Sequence, residues 1–220
     1  MQHRVAEEVP LRFRSREHAG AELARALVRV PFDFVLAIPR GGVPVAAEIA
    51  RAHGADLDVL VAKKVGAPGN AELAVGAVTA GGTRVRNEDV LALTGAPEAW
   101  VNRAFVRAQE SASAKEARLR AGRAPLDVGG RHVLLVDDGL ATGATALCCA
   151  RELRARGAAR VTLAVPVGSR AACALLAREV DEVVCLRQPA DFAAVGEHYD
   201  DFTQVSDDEA TVILMSATRA

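Results

Sequence analysis

The chain has 220 residues, half of them hydrophobic, with 27 lysines and arginines against 28 acids and a formal charge of -1. That length and composition suit one folded domain with a substantial core and argue against a disordered chain. The near balance of charge excludes the strongly basic profile of a dedicated nucleic-acid binder.

The four cysteines (Cys148, Cys149, Cys173, Cys185) contain no C-x-x-C pair and no histidine at metal-binding spacing, so they read as buried reduced thiols. The N-terminal stretch MQHRVAEEVPLRFRSRE lacks an apolar signal core, and no run approaches the roughly 18 apolar residues of a membrane span. A cytoplasmic protein is expected.

In chain order, Ser15 is placed to cap a helix running to about Val30. FVLAI at 34–38 reads as a strand, PRGG at 39–42 as a turn, and VPVAAEIARAHG as a helix closed by Gly54. LDVLVAK at 57–63 is a second strand, completing a β-α-β unit with a parallel pairing expected. The glycine-rich segment from 66 to 86 shows little apolar periodicity and reads as a mobile loop with a short hairpin around 75–86. A polar helical stretch from about Pro97 to Arg120 has a faint apolar face of Trp100, Ala104, Phe105 and Ala108, suited to the domain surface or a subunit contact.

Strand and helix then alternate: strand 133–136, helix 144–156 ending at Gly157, strand 160–166, helix 169–178, strand 182–186. The tail 188–204 is irregular, and Ser206 with Glu209 forms a capping box for a last helix. This grammar predicts an α/β fold, an open, mostly parallel twisted sheet with helices on both faces, whose ligands bind at the carboxyl ends of the strands.

The segment VLLVDDGLATGAT, residues 133–145, is the most informative in the chain. A short apolar run reads as a strand buried on both faces, so Asp137 and Asp138 fall at its carboxyl end. Small residues and two threonines then lead into a helix, whose unpaired N–H groups and positive dipole end suit a phosphate. The loop is neither a Walker A sequence nor G-x-G-x-x-G. Carboxylates beside a phosphate repel it unless they accept hydroxyls or face a metal, and a sugar phosphate meets both conditions.

This segment resembles the signature for 5-phosphoribosyl-1-pyrophosphate (PRPP) in the type I phosphoribosyltransferases. IPRGGVPVA, KKVGAPGNAELAVGAV, VRNEDV and AVGEHYDDFTQVSDDE extend the resemblance over most of the chain, toward a poorly characterised bacterial branch of phosphoribosyltransferase-like proteins. The resemblance implies one domain over residues 1–220, with a flexible loop at about 66–86, a helical insertion at about 88–122 and a hood at about 188–205. It implies an Mg2+-dependent enzyme that transfers the phosphoribosyl group to an acceptor, a nucleobase or another small-molecule nucleophile, with release of pyrophosphate. It further implies a homodimer, while the charge balance and the lack of an apolar span give no expectation of nucleic-acid or membrane partners. A PRPP-sensing regulator of the same fold is the alternative.

By the same resemblance, Asp137 and Asp138 hold the ribose hydroxyls and approach the metal, and Gly139, Ala141, Thr142, Gly143, Ala144 and Thr145 receive the 5-phosphate. Arg40, Gly41, Gly42, Lys63 and Lys64 contact the pyrophosphate, Lys64 counting with the two acids as catalytic. Strand alternation turns one lysine away without saying which. Phe192, Val195 and Tyr199 are candidates to enclose the acceptor, with core packing as the competing role for each. The chain departs from the pattern at 107–122 and at His198. Ala141 stands where 6-oxopurine enzymes carry an aspartate, which makes a hypoxanthine or guanine acceptor the weaker expectation.

Overall fold

The computed structural model describes residues 12–217. Five parallel strands, β1 (Phe34–Ala37), β2 (Asp56–Val59), β6 (His132–Val136), β7 (Arg160–Val167) and β8 (Glu182–Arg187), form a sheet in the order β2-β1-β6-β7-β8. Side chains alternate across it. Val35, Ala37, Leu134 and Val136 enter one core, while Phe34, Leu36, Val133 and Leu135 enter the other. Both faces are covered, which is why these strands are continuous apolar runs rather than alternating ones.

The first face carries α1 (Arg16–Ala26), α2 (Gly42–His53) and α7 (Asp207–Ala217). The opposite face carries α5 (Ala144–Ala155) and α6 (Arg170–Leu176). Local signals fix several ends: Ser15 Oγ accepts the His18 N–H at 3.3 Å, and Gly54 closes α2 at φ 64°. Ser206 and Glu209 bond reciprocally at 3.1 and 2.7 Å before α7.

The expected strand 57–63 divides in two. Leu60 N–H still bonds to Ala37, but Val61 N–H donates instead to Glu116 and the Val61 carbonyl accepts from Ala80, so the chain leaves the parallel sheet there. It enters β3 (Ala62–Ala67), which pairs antiparallel with β4 (Asn70–Thr79), itself paired with β5 (Arg84–Arg86). The hairpin expected around 75–86 is present as the pairing of β4 with β5, and most of the remainder of the segment expected as a loop is sheet as well. Residues 75–79 are buried consecutively, between α5 and α4 (Glu98–Arg120), and burial on both sides in small residues erases the periodicity that identifies a strand. Val65, Val75, Val78, Val101 and Phe105 form a separate small core there, with Leu91 of α3 (Glu88–Thr94).

Helix α4 is anchored by a buried ionic cluster. Arg120 donates to Asp58 at 2.9 and 3.1 Å, to Glu116 at 2.5 Å and to the Val59 carbonyl at 2.8 Å, while Asp58 also accepts from Leu126 N–H. Among the described residues, no helix is long and apolar enough to cross a membrane.

Candidate functional site

The chain runs from β1 to β2 on one side of the sheet and from β6 through β7 to β8 on the other. The strand order therefore reverses between β1 and β6, where Ala37 pairs with Val136. At such a switch point the loops leaving the two strands part in opposite directions and open a crevice. The PRGG turn leaves β1 into this crevice, and Asp137 and Asp138 leave β6 into it.

Contact between the two loops is close. A Cβ built on Gly41 would lie 1.8 Å from Asp138 Oδ2, and Gly42 lies over Val136 and Asp137. Glycine at 41 is thus a steric requirement of bringing this turn against the acids. Gly41 also begins α2 with no side chain capping the first turn, while the Gly42 and Val43 N–H groups bond back to the Ile38 and Arg40 carbonyls at 3.1 and 3.0 Å and hold the turn closed against the crevice.

Across the acids, residues 139–143 lead into α5. Gly143 caps that helix at φ 77°, a left-handed conformation that suits glycine, and no side chain caps the first turn. Ala144 and Thr145 thus stand at a helix end with unpaired donors, and Ala141 and Thr142 are exposed beside it. The loop is braced from below: Leu140 N–H donates to Val167 and Ser169 Oγ–H donates to the Ala141 carbonyl at 2.7 Å. Val195 of the hood packs against Gly139.

The acids differ in their partners. Asp138 Oδ2 accepts from Arg16 Nε at 2.8 Å, with side chains only 9% (Arg16) and 15% (Asp138) exposed. Asp137 Oδ1 accepts the Asp138 N–H at 2.9 Å but makes no ion pair of its own among the described residues. Burial first, and then the charge of Asp138, push the Asp137 carboxyl well above the usual carboxylate range. Burial raises Asp138 too, against the opposing charge of Arg16.

Arg40 approaches this crevice from the turn, with NH1 3.6 Å from Asp207 Oδ1 at the start of α7. The two lysines lie on β3, both exposed. Lys63 Nζ donates to Ser111 Oγ of α4 at 2.7 Å, whereas Lys64 borders a surface groove of about 470 Å³ with Trp100, Arg107 and Asn70. Arg86 is engaged elsewhere, with Glu98 and Glu88 at 2.7 and 2.9 Å.

Of the three hood candidates, Tyr199 lies in the core. It is 1% exposed and donates its hydroxyl to the Asp138 carbonyl at 2.6 Å, so it supports the acid loop and presents no free ring face to an acceptor. Phe192 is partly buried and stacks on His198 at 5.5 Å. Two nitrogens nearby, Arg187 NH1 and His198 Nε2, are buried with no hydrogen-bond partner among the described residues. Burial and then Arg187 hold the His198 imidazole below its ordinary pKa.

Sequence reading missed Arg16, Asp207, Arg187 and His198 as contributors. Arg16 is one of several arginines in RFRSRE, and nothing local distinguishes it. Its bond to Asp138 spans 122 positions, and its guanidinium also covers Phe202 at 3.9 Å and donates to the Thr203 carbonyl.

Residues 14–201 match the family model described as "Phosphoribosyl transferase domain". Two proteins of Mycobacterium tuberculosis, from strains CDC 1551 and H37Rv and each named "Putative phosphoribosyl transferase", are 45% identical over 213 residues, covering 94% of this chain and 47% of their own length. The chain thus spans about half the length of these curated relatives. The crystal structure of a Thermus thermophilus protein, TT1426, is 42% identical, with a TM-score of 0.79, over 94% of this chain and 100% of that one. A protein from Neisseria gonorrhoeae, solved with bound ppGpp, shares the fold at 15% identity and a TM-score of 0.50, over 94% of this chain and 99% of its own. With a family model spanning nearly the whole chain and the acid pair, PRGG turn and uncapped helix end gathered at one crevice, the chain belongs to the phosphoribosyl transferase domain family.

Proposed function

We propose that this domain transfers the 5-phosphoribosyl group of PRPP to a small-molecule acceptor, with inversion at the anomeric carbon and release of pyrophosphate. One observation carries the reading. An under-compensated acid pair lies between a helix end with free N–H donors and a glycine turn bearing a cation, all within the switch-point crevice.

Each part answers one part of PRPP. The N–H groups and hydroxyls of residues 139–145 receive the 5-phosphate, and Asp137 and Asp138 accept the ribose hydroxyls. Arg40, the backbone at Gly41 and Gly42, and Lys63 receive the diphosphate. The bond from the anomeric carbon to the diphosphate oxygen breaks, a bond to the acceptor forms, and the electron pair departs on pyrophosphate. The residues act by placement and by meeting charge where it develops.

The donor set suits Mg2+. Two hard carboxylates, one without an ion pair of its own, match a cation held by one or two carboxylates and substrate phosphate oxygens. When bound, Mg2+ offsets charge on the departing diphosphate. The acceptor is approached by the hood, where Val195 packs on Gly139 of the acid loop and Phe192 stacks on His198. A neutral His198 is suited to accept a proton from the incoming nucleophile.

Calorimetric titration of PRPP with and without Mg2+ tests the reading, using wild type and the Asp137→Asn, Asp138→Asn double variant. Metal-dependent binding lost in the variant supports it, and pyrophosphate release with an acceptor panel then identifies the acceptor. Absence of binding by folded wild type would refute it. Binding without release against any acceptor would favour a PRPP sensor.

A further inference from the structure

Helix α4 carries Ser111, Lys115 and Arg118 at spacings of four and three, one face of a helix. That face looks across to the start of α7 and to the PRGG turn. Asp207 Oδ1 lies 3.4 Å from Lys115 Nζ and 3.6 Å from Arg40 NH1, and Asp207 Oδ2 lies 3.7 Å from Arg118 NH1. Lys63, bonded to Ser111, adds positive charge to the same corner, close enough to act on Lys115.

Cations from two separate elements, the PRGG turn and α4, thus converge on Asp207, with the charge of Lys63 from β3 close by. Arg40 adjoins Gly41, which is pressed against Asp138, so one residue of the turn links this corner to the crevice. Lys115 and Asp207 are each only 23% exposed. Holding Lys115 there is costly: burial, opposed by the Asp207 charge and reinforced by Arg40, moves its pKa below the ordinary lysine value. Asp207 and Asp208, the latter paired with Arg118 at 2.8 Å, supply two negative charges against the four cations Arg40, Lys63, Lys115 and Arg118.

We propose that Lys115 is a further diphosphate-binding residue and that Asp207 is an internal stand-in for the diphosphate, holding Arg40 and Lys115 together until the ligand displaces it. This rests on the PRPP reading above. A diphosphate carries more charge than one carboxylate and several oxygens in place of two, so it takes both cations over from Asp207. The helical insertion thereby contributes directly to the site, and Asp207 tunes affinity through competition.

The test is titration of PRPP, inorganic pyrophosphate and ribose 5-phosphate, each with Mg2+, into wild type, Lys115→Met and Asp207→Asn. The expected result is an affinity loss of roughly tenfold for PRPP and pyrophosphate in Lys115→Met, with ribose 5-phosphate unchanged. Asp207→Asn, which removes the competitor, binds pyrophosphate several-fold more tightly. A gain of affinity cannot come from a damaged fold, so this second variant decides the matter if Lys115→Met folds poorly. Unchanged or weaker pyrophosphate binding by Asp207→Asn, or a Lys115→Met loss shared equally by ribose 5-phosphate, overturns the inference alone. Wild type that binds neither PRPP nor ribose 5-phosphate overturns the PRPP reading and this inference together.

Discussion

Two groups of buried acids sit within this chain, and they are treated in opposite ways. Asp58 and Glu116 surround Arg120, whose guanidinium donates to both carboxylates and to the Val59 carbonyl, while backbone N–H groups of Val59, Val61 and Leu126 fill the remaining acceptor positions. Burial pulls the Arg120 pKa down, but the hydrogen bonds and charges of Asp58 and Glu116 more than offset it and hold the pKa above its ordinary value. Among the described residues, Asp137 and Asp138 share only Arg16, and both carboxyls are pushed up. A satisfied cluster fixes α4 to the end of β2. The unsatisfied pair stores an electrostatic demand that a ligand can meet, which is a common signature of a functional site.

The largest effect is expected from breaking the satisfied cluster. Arg120→Met leaves two buried carboxylates facing each other and should cost about 3–5 kcal/mol of stability, read by denaturant unfolding. A loss below about 1 kcal/mol would show that the cluster is already hydrated, as an exposed pair would be, and that the two groups of acids differ little.

Asp137→Asn should do the reverse to the fold. It removes a repelled, desolvated charge, so the ligand-free protein should gain about 1 kcal/mol, while PRPP affinity falls roughly a hundredfold, about 2.7 kcal/mol. A destabilised variant would place Asp137 with the structural acids instead.

The pH dependence sharpens the same comparison. The folded pKa of Asp137 lies above the ordinary 3.8, so between these values the folded state holds a proton that the unfolded chain has released. This contribution to stability is fully present below 3.8 and fades as pH rises through the raised folded value. Subtracting the melting profile of Asp137→Asn from that of wild type between about pH 4 and 8 isolates it, and a flat difference would show that Asp137 titrates alike in both states. Binding of PRPP with Mg2+ should release protons in the same range, measured as heats that vary with buffer ionisation enthalpy.

The smallest effect lies outside both groups. Ser15→Ala removes the oxygen that accepts the His18 N–H at the start of α1 and should cost about 1 kcal/mol in chemical unfolding. PRPP affinity should change little, because Arg16 is held separately by Asp138, Thr203 and Phe202. A large affinity loss in this variant would mean that the cap sets the position of Arg16.

The sequence by itself determined what depends on neighbours along the chain. The apolar runs at 34–38 and 133–136, the glycine after α2, the serine before α1 and the capping box before α7 act through bonds within a few residues, so their residue types reveal them. The acids at the end of a buried strand and the small-residue loop before a helix were legible for the same reason. Tertiary structure alone decided which groups face those acids. Within 62–86 only the hairpin around 75–86 was legible, while the pairing of β3 with β4 was hidden in a glycine-rich, mostly exposed stretch with no apolar alternation, and Tyr199 was drawn into the core by contacts with Phe13 and the acid loop. Arg16, Asp207 and Lys115 acquire their roles through contacts between residues distant in sequence, and charge alone, common on any surface, does not reveal which partner the folded geometry will supply.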